Sequence, residues 1–127
     1  MKEKTTKSPG AMSSQELLEL CRSMPGADEF LMPPPASVNV FRHPGNGKWF
    51  AVVHTLRGRL CVTLKLDPME ALAPRTRYRG AGPGWHMNKV HWNTADVRSD
   101  VPAHELRAML ESSHELTSPK LRKRKNT

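Results

Sequence analysis

The chain has 127 residues, 37% of them hydrophobic, and a formal net charge of +8. That length fits one domain with a modest core and leaves no room for two, while two cysteines are too few for a disulfide scaffold. No apolar run approaches the roughly 20 residues that cross a bilayer, and the polar first ten residues lack an apolar signal core, so a cytoplasmic protein with no membrane partner is expected.

The position of the charge matters more than its size. Residues 1–12 hold +2 and residues 119–127 hold +5, so the tails carry +7 of the +8. Within the body, residues 13–29 and 96–118 are each −3, and residues 57–89 are +5. The expected organisation is a disordered N-terminal tail (1–12), a folded domain (13–119) and a basic, disordered C-terminal tail (120–127).

Ser13-Ser14-Gln15-Glu16 reads as a capping box opening a helix over residues 13–24. Leu17, Leu20 or Cys21, and Met24 form its stripe, and Pro25-Gly26 is its stop. Pro33-Pro34-Pro35 cannot join a central strand. A short strand follows over 38–43, then a Pro44-Gly45-Asn46-Gly47 turn with a strong hairpin signal, then a return strand over 48–56. Arg57-Gly58 turns again. Residues 59–66 alternate, with Leu60, Val62, Leu64 and Leu66 on one face and Arg59, Cys61, Thr63 and Lys65 on the other. That pattern predicts a half-buried strand in an antiparallel meander with one wet face.

Asp67-Pro68 starts a short helix through residues 69–73. Residues 75–84 form an Arg- and Gly-rich loop, and residues 90–97 are a strand candidate. Pro102 opens a helix with Leu106, Met109, Leu110 and Leu116 on one stripe, ending near Pro119. The order is helix, three-strand meander, short helix, one or two strands, helix. It predicts an α+β fold with two amphipathic helices on one sheet face and the other face open. Cys21 and Cys61 are expected as reduced thiols.

Residues 84–94 read GWHMNKVHWNT. This stretch resembles the MmcQ/YjbR family of small bacterial proteins, whose hallmark is Met-Asn-Lys-x-His-Trp. The opening Glu16-Leu17-Leu18-Glu19-Leu20-Cys21 with Pro25-Gly26-Ala27, and the strand 60–68 running into Asp-Pro, are similar to that family too. The resemblance spans about residues 14–119. It implies a frataxin/CyaY-like fold, a twisted antiparallel sheet with N- and C-terminal helices packed on one face. It also carries the family's DNA-binding label, which is a fold-level analogy. The triple proline departs from the Pro-Phe-Gly-like turn usual in relatives and lacks its aromatic anchor.

Arg75, Arg77, Arg79 and Lys89 are candidates for phosphate neutralisation, and Arg57 extends the patch. Arg59 and Lys65 share the outward strand face. Trp85 and Trp92 stack on bases if exposed and are core if buried, and burial of at least one is favoured. Asn88 suits a turn as well as a binding site. His86 and His91 are five apart with no third ligand near them, and the acids Glu16, Glu19, Asp28 and Glu29 read as a solvated face, so neither a metal nor any other cofactor is expected. No nucleophile motif, metalloprotease motif or phosphate loop is present. The reading is a DNA-binding module, not an enzyme, that contacts phosphates without sequence specificity through the open sheet face and the loop. The alternatives are a protein-interaction or chaperone-like module on the same sheet and, more weakly, a small-ligand pocket under His86, Asn88 and Trp92.

Overall fold

The computed structural model describes residues 12–85 and 87–119. The elements are α1 (Ser14–Arg22), β1 (Asp28–Leu31), β2 (Asn39–Arg42), β3 (Trp49–Leu56), β4 (Arg59–Lys65), α2 (Pro68–Arg77), β5 (Ala81–Pro83), β6 (Trp92–Asp96) and α3 (Ala103–Thr117). The six strands form one open sheet in the order β1-β2-β3-β4-β6-β5. Every neighbouring pair is antiparallel. The architecture is α+β.

Local chemistry sets the element ends. The Ser13 hydroxyl accepts from the Glu16 N–H at 3.0 Å, and the Glu16 carboxylate accepts from the Ser13 N–H at 2.8 Å, which completes the capping box. The β3–β4 turn has Arg57 at φ 54° and Gly58 at φ 78°, the positive-φ pair that matches the right-handed twist of the flanking strands. Asn46 closes the β2–β3 turn by accepting from the Lys48 N–H at 2.9 Å.

Three features differ from the sequence reading. First, β1 is an additional edge strand. Its Asp-Glu-Phe-Leu sequence has no apolar alternation, and its acids pair sideways instead: Asp28 with Arg42 at 2.8 Å, and Glu29 with Arg22 at 2.6 Å. Charged side chains on an exposed edge also discourage pairing with other chains. Second, α2 does not stop at Ala73. It runs through a buried Pro74 to Arg77. A proline removes one intrahelical donor but does not oblige the helix to end, so Arg75 and Arg77 belong to its last turn and not to a loop. Third, the short helix α2 joins the two expected terminal helices at the core, lying along β5 and β6 with Ala71 buried.

The core lies between helices and sheet. Leu17 and Cys21 of α1 and Leu106, Met109 and Leu110 of α3 meet Phe41, Phe50, Val53, Val62 and Leu64, with Ala71 of α2 at one end. Where β3 and β4 part, Ser113 of α3 inserts: its hydroxyl donates to the Phe50 carbonyl at 2.6 Å and accepts from the Lys65 N–H at 3.0 Å. No described helix is long and apolar enough to cross a membrane.

Candidate functional site

The alternation of β4 sends Val62 and Leu64 to the helices and Cys61 and Thr63 to the opposite face. That second face was expected to be wet. In fact Val40, Val52, His54, Cys61, Thr63 and Thr94 on it are all at most 8% exposed. The physical reason is that two segments fold over it. The 32–38 connection lies along one side, and the 84–91 loop comes down from β5. Trp85 stacks on the His54 ring at 4.9 Å and 18°, and its backbone N–H donates to the Thr94 hydroxyl at 2.8 Å. Beneath it, a hydrogen-bonded row crosses the strands: His54 Nε2 to Thr63 Oγ1 at 2.8 Å, and Thr63 Oγ1 to Thr94 Oγ1 at 2.7 Å.

Among the described residues, two hollows lie on this face. One, of about 260 Å³, is lined by Met32, Ala36, Val38, Trp49, Val52, His54, Thr63, Trp85 and Met87 and is almost wholly apolar. The other, of about 470 Å³, is lined by Arg57, Arg59, Arg79, Cys61, Thr94, Asp96 and Asp100 among others. Its carboxylates are already engaged. Asp96 pairs with Arg59, which lifts the guanidinium pKa further above its ordinary range. Asp100 accepts from the backbone N–H groups of Arg79 and Gly80, both at 2.8 Å, and these hold its pKa below the usual carboxylate value. Arg57 and Arg79 make no side-chain ion pair among the described residues.

The sequence candidates separate into two groups. Arg59, Arg79 and Trp85 lie on this face, as does Arg57. Lys65 lies at the far end of β4, opposite Trp92 in the ladder. The others shape the loop. Arg75 Nε donates to Asn93 Oδ1 at 2.6 Å, and its Nη2 donates to the carbonyls of Trp92, at 3.1 Å, and Lys89. Asn88 Oδ1 accepts from the N–H groups of Val90 at 2.9 Å and His91 at 3.2 Å. Lys89 Nζ donates to the Gly84 carbonyl at 2.5 Å. Trp92 is half-buried, and its N–H donates to the Asn88 carbonyl at 3.0 Å. Arg77 reaches across to Glu105 of α3 at 3.5 Å. His86 lies outside the described residues.

The residues that line the hollows and were not candidates in the sequence include His54, Thr63, Trp49, Met32, Asp96 and Asp100. Thr63 shares the strand parity of Arg59, so the alternation of β4 was a usable signal for it. Met32 and Trp49 come from other segments, and only the folded connections bring them close. Both thiols are shielded: burial pushes the Cys21 pKa up to about 12, with Glu29 adding to it, and burial followed by Asp96 raises that of Cys61. Neither is poised as a thiolate nucleophile or ligand.

A family model described as YjbR matches residues 22–116. The chain is 26% identical over 104 residues to the uncharacterized protein YjbR of Escherichia coli K12, covering 82% of this chain and 86% of that protein. It is 35% identical over 78 residues to the uncharacterized protein YbdF of Escherichia coli O157:H7, covering 61% and 64%. The crystal structure of a Pseudomonas syringae protein superposes with a TM-score of 0.75 at 25% identity, over 84% of this chain and 100% of that one. A Deinococcus radiodurans protein with the domain name DUF419 gives 0.75 at 26% identity, over 90% and 83%. With a family model covering most of the folded region and relatives matching over most of their length, the chain belongs to the YjbR family.

Proposed function

We propose that the protein is a DNA-binding module without catalytic chemistry, and that it contacts phosphates through Arg57 and Arg79, beside Arg59, whose guanidinium is held by Asp96. The observation that carries this reading is the hollow where these three arginines meet while its carboxylates are occupied by Arg59 and by backbone N–H groups. Guanidinium groups are well suited to phosphate oxygens. The contact surface differs from the earlier expectation, because Arg75, Asn88 and Lys89 place their polar atoms on the loop itself. Base-specific reading is not part of the proposal: among the described helices the basic turn is that of α2, and its Arg75 and Arg77 are engaged with Asn93 and Glu105.

The test is a titration with duplex DNA at two salt concentrations, using the full chain, a chain ending at Pro119, and the double variant Arg57→Glu/Arg79→Glu. Binding by the shortened chain that weakens steeply with salt and is lost in the double variant supports the proposal. Binding that disappears entirely with the tail overturns it.

A protein partner is the second reading. It is favoured by the apolar hollow and by Leu31, 64% exposed on the edge strand. Binding of that kind depends on apolar burial and changes little with salt.

A further inference from the structure

The two hollows adjoin. His54 of the apolar one stands opposite Cys61 of the basic one across the β3–β4 ladder, and Thr63 of the first stands opposite Thr94 of the second. Arg59 is two residues along β4 from Cys61, a step of about 7 Å. The surface therefore places an apolar recess lined with aromatic rings one strand step from an arginine-lined one. Trp85, 38% exposed and stacked on His54, lines the apolar recess together with Trp49 and Met87.

A nucleotide divides its chemistry the same way: a flat ring with apolar faces, joined to an anionic phosphate. Aromatic side chains stack on bases of any sequence because every base has a π-face. In a duplex, those faces are covered by neighbouring bases, and a recess in a sheet reaches only the phosphates. An unpaired base has both faces free and can enter. We infer that the preferred partner is single-stranded nucleic acid, with a base in the recess against Trp49 and Trp85, the latter backed by the His54 ring on which it stacks, and the adjacent phosphates on Arg57 and Arg79. The inference rests on the phosphate-binding reading above and adds the base to it.

Strands that differ only in their bases provide the test. The full chain is titrated by fluorescence anisotropy with a short oligothymidylate, with an abasic strand of the same length, and with a duplex. Oligothymidylate is expected to bind about tenfold more tightly than the abasic strand, the scale of one stacked base. Trp85→Ala lowers that ratio toward one, and Trp85→Phe retains part of it. Arg57→Glu/Arg79→Glu weakens both strands together. Equal affinity of the unsubstituted protein for the two strands overturns the inference, whatever happens to the Trp85 variants. In that event, weakening of both strands by the arginine variant still upholds phosphate binding, whereas indifference to it overturns phosphate binding as well.

Discussion

Arg75 leaves the last turn of α2 and enters the base of the 84–91 loop, where one guanidinium serves Asn93 Oδ1 and the carbonyls of Trp92 and Lys89. A planar fork with several fixed N–H directions can do this, and a lysine ammonium on a flexible stem cannot. Arg75→Lys is expected to cost about 1–3 kcal/mol of stability, the range for losing partly buried charged hydrogen bonds, as read by urea unfolding. Its duplex-binding salt dependence stays that of the parent. A drop in that slope would return Arg75 to the phosphate contacts. Gly84 is constrained by neighbours rather than by backbone angle: a Cβ there would lie 2.5 Å from Trp92 Cβ and 3.0 Å from the Trp92 carbonyl oxygen. That oxygen also accepts the Gly84 N–H at 2.7 Å, so the two strands cannot part without losing the bond. Gly84→Ala is expected to destabilise by about 1–3 kcal/mol and to loosen Trp85, visible as a red shift of tryptophan emission. Unchanged stability and emission would show that the loop yields freely.

At the scale of elements, the end of α3 is fastened to the β2–β3 turn through His43. Its Nε2 lies 2.9 Å from the His114 carbonyl and 2.9 Å from Thr117 Oγ1. The Thr117 hydroxyl donates to the Ser113 carbonyl at 2.7 Å, so its oxygen is left to accept, and the proton of neutral His43 belongs on Nε2. Burial, then the neighbouring His114 ring at 4.5 Å, lowers the His43 pKa below its ordinary 6.5. The fold therefore favours the neutral ring. Its contribution is complete above pH 6.5 and is lost as pH falls from there through the folded-state value. The slope approaches at most about 1.4 kcal/mol per pH unit over that window. Glutamine can place an amide N–H near the Nε2 position and does not titrate. Comparing urea midpoints of the parent and His43→Gln between pH 7.5 and 5 should show the parent losing stability faster on acidification. Parallel curves would dismiss His43 as the source. None of this clasp was legible in the sequence, because residues 43 and 114–117 meet only once α3 lies across the sheet. What was legible was local: the Ser13 capping box, the Asn46 turn, the Asp67-Pro68 helix start and the alternation of β4 each depend on neighbours a few residues apart. β1 was invisible because its pairing rests on Arg22, Asn39 and Arg42, all outside the strand. The burial of the second face was invisible for a similar reason: strand parity tells which side a residue faces, but only the folded 32–38 and 84–91 segments decide whether that side meets water.

At the scale of the whole molecule, charge and shape divide into two sides. The helix side carries Glu16 and Glu19 of α1 and Glu105, Glu111 and Glu115 of α3, whereas Arg57, Arg59 and Arg79 gather on the other face. On the proposed reading, a polyanion approaching the body meets Arg57 and Arg79 on this side. The C-terminal tail adds five cations and the N-terminal tail a net two, against about one net positive charge in residues 13–119. If the protein binds nucleic acid as proposed, its total affinity and the affinity of the fold are therefore separable quantities. Each phosphate neutralised contributes about 0.9 to the log–log salt slope on duplex DNA. If all five tail cations engage, cutting the chain after Pro119 should reduce the slope by up to about 4.5. The remainder should be about 1.8, matching Arg57 and Arg79. Adding Arg57→Glu/Arg79→Glu to the shortened chain should take that remainder close to zero while lowering the urea midpoint only slightly, because both side chains are exposed and Arg79 acts on Asp100 only at a distance. A remainder that survives the double variant would place the fold's contact elsewhere, with Lys65 and Arg77 the next cations to reverse. No remainder at all would mean that nucleic-acid affinity belongs to the tail, leaving the apolar hollow and the edge strand to a protein partner.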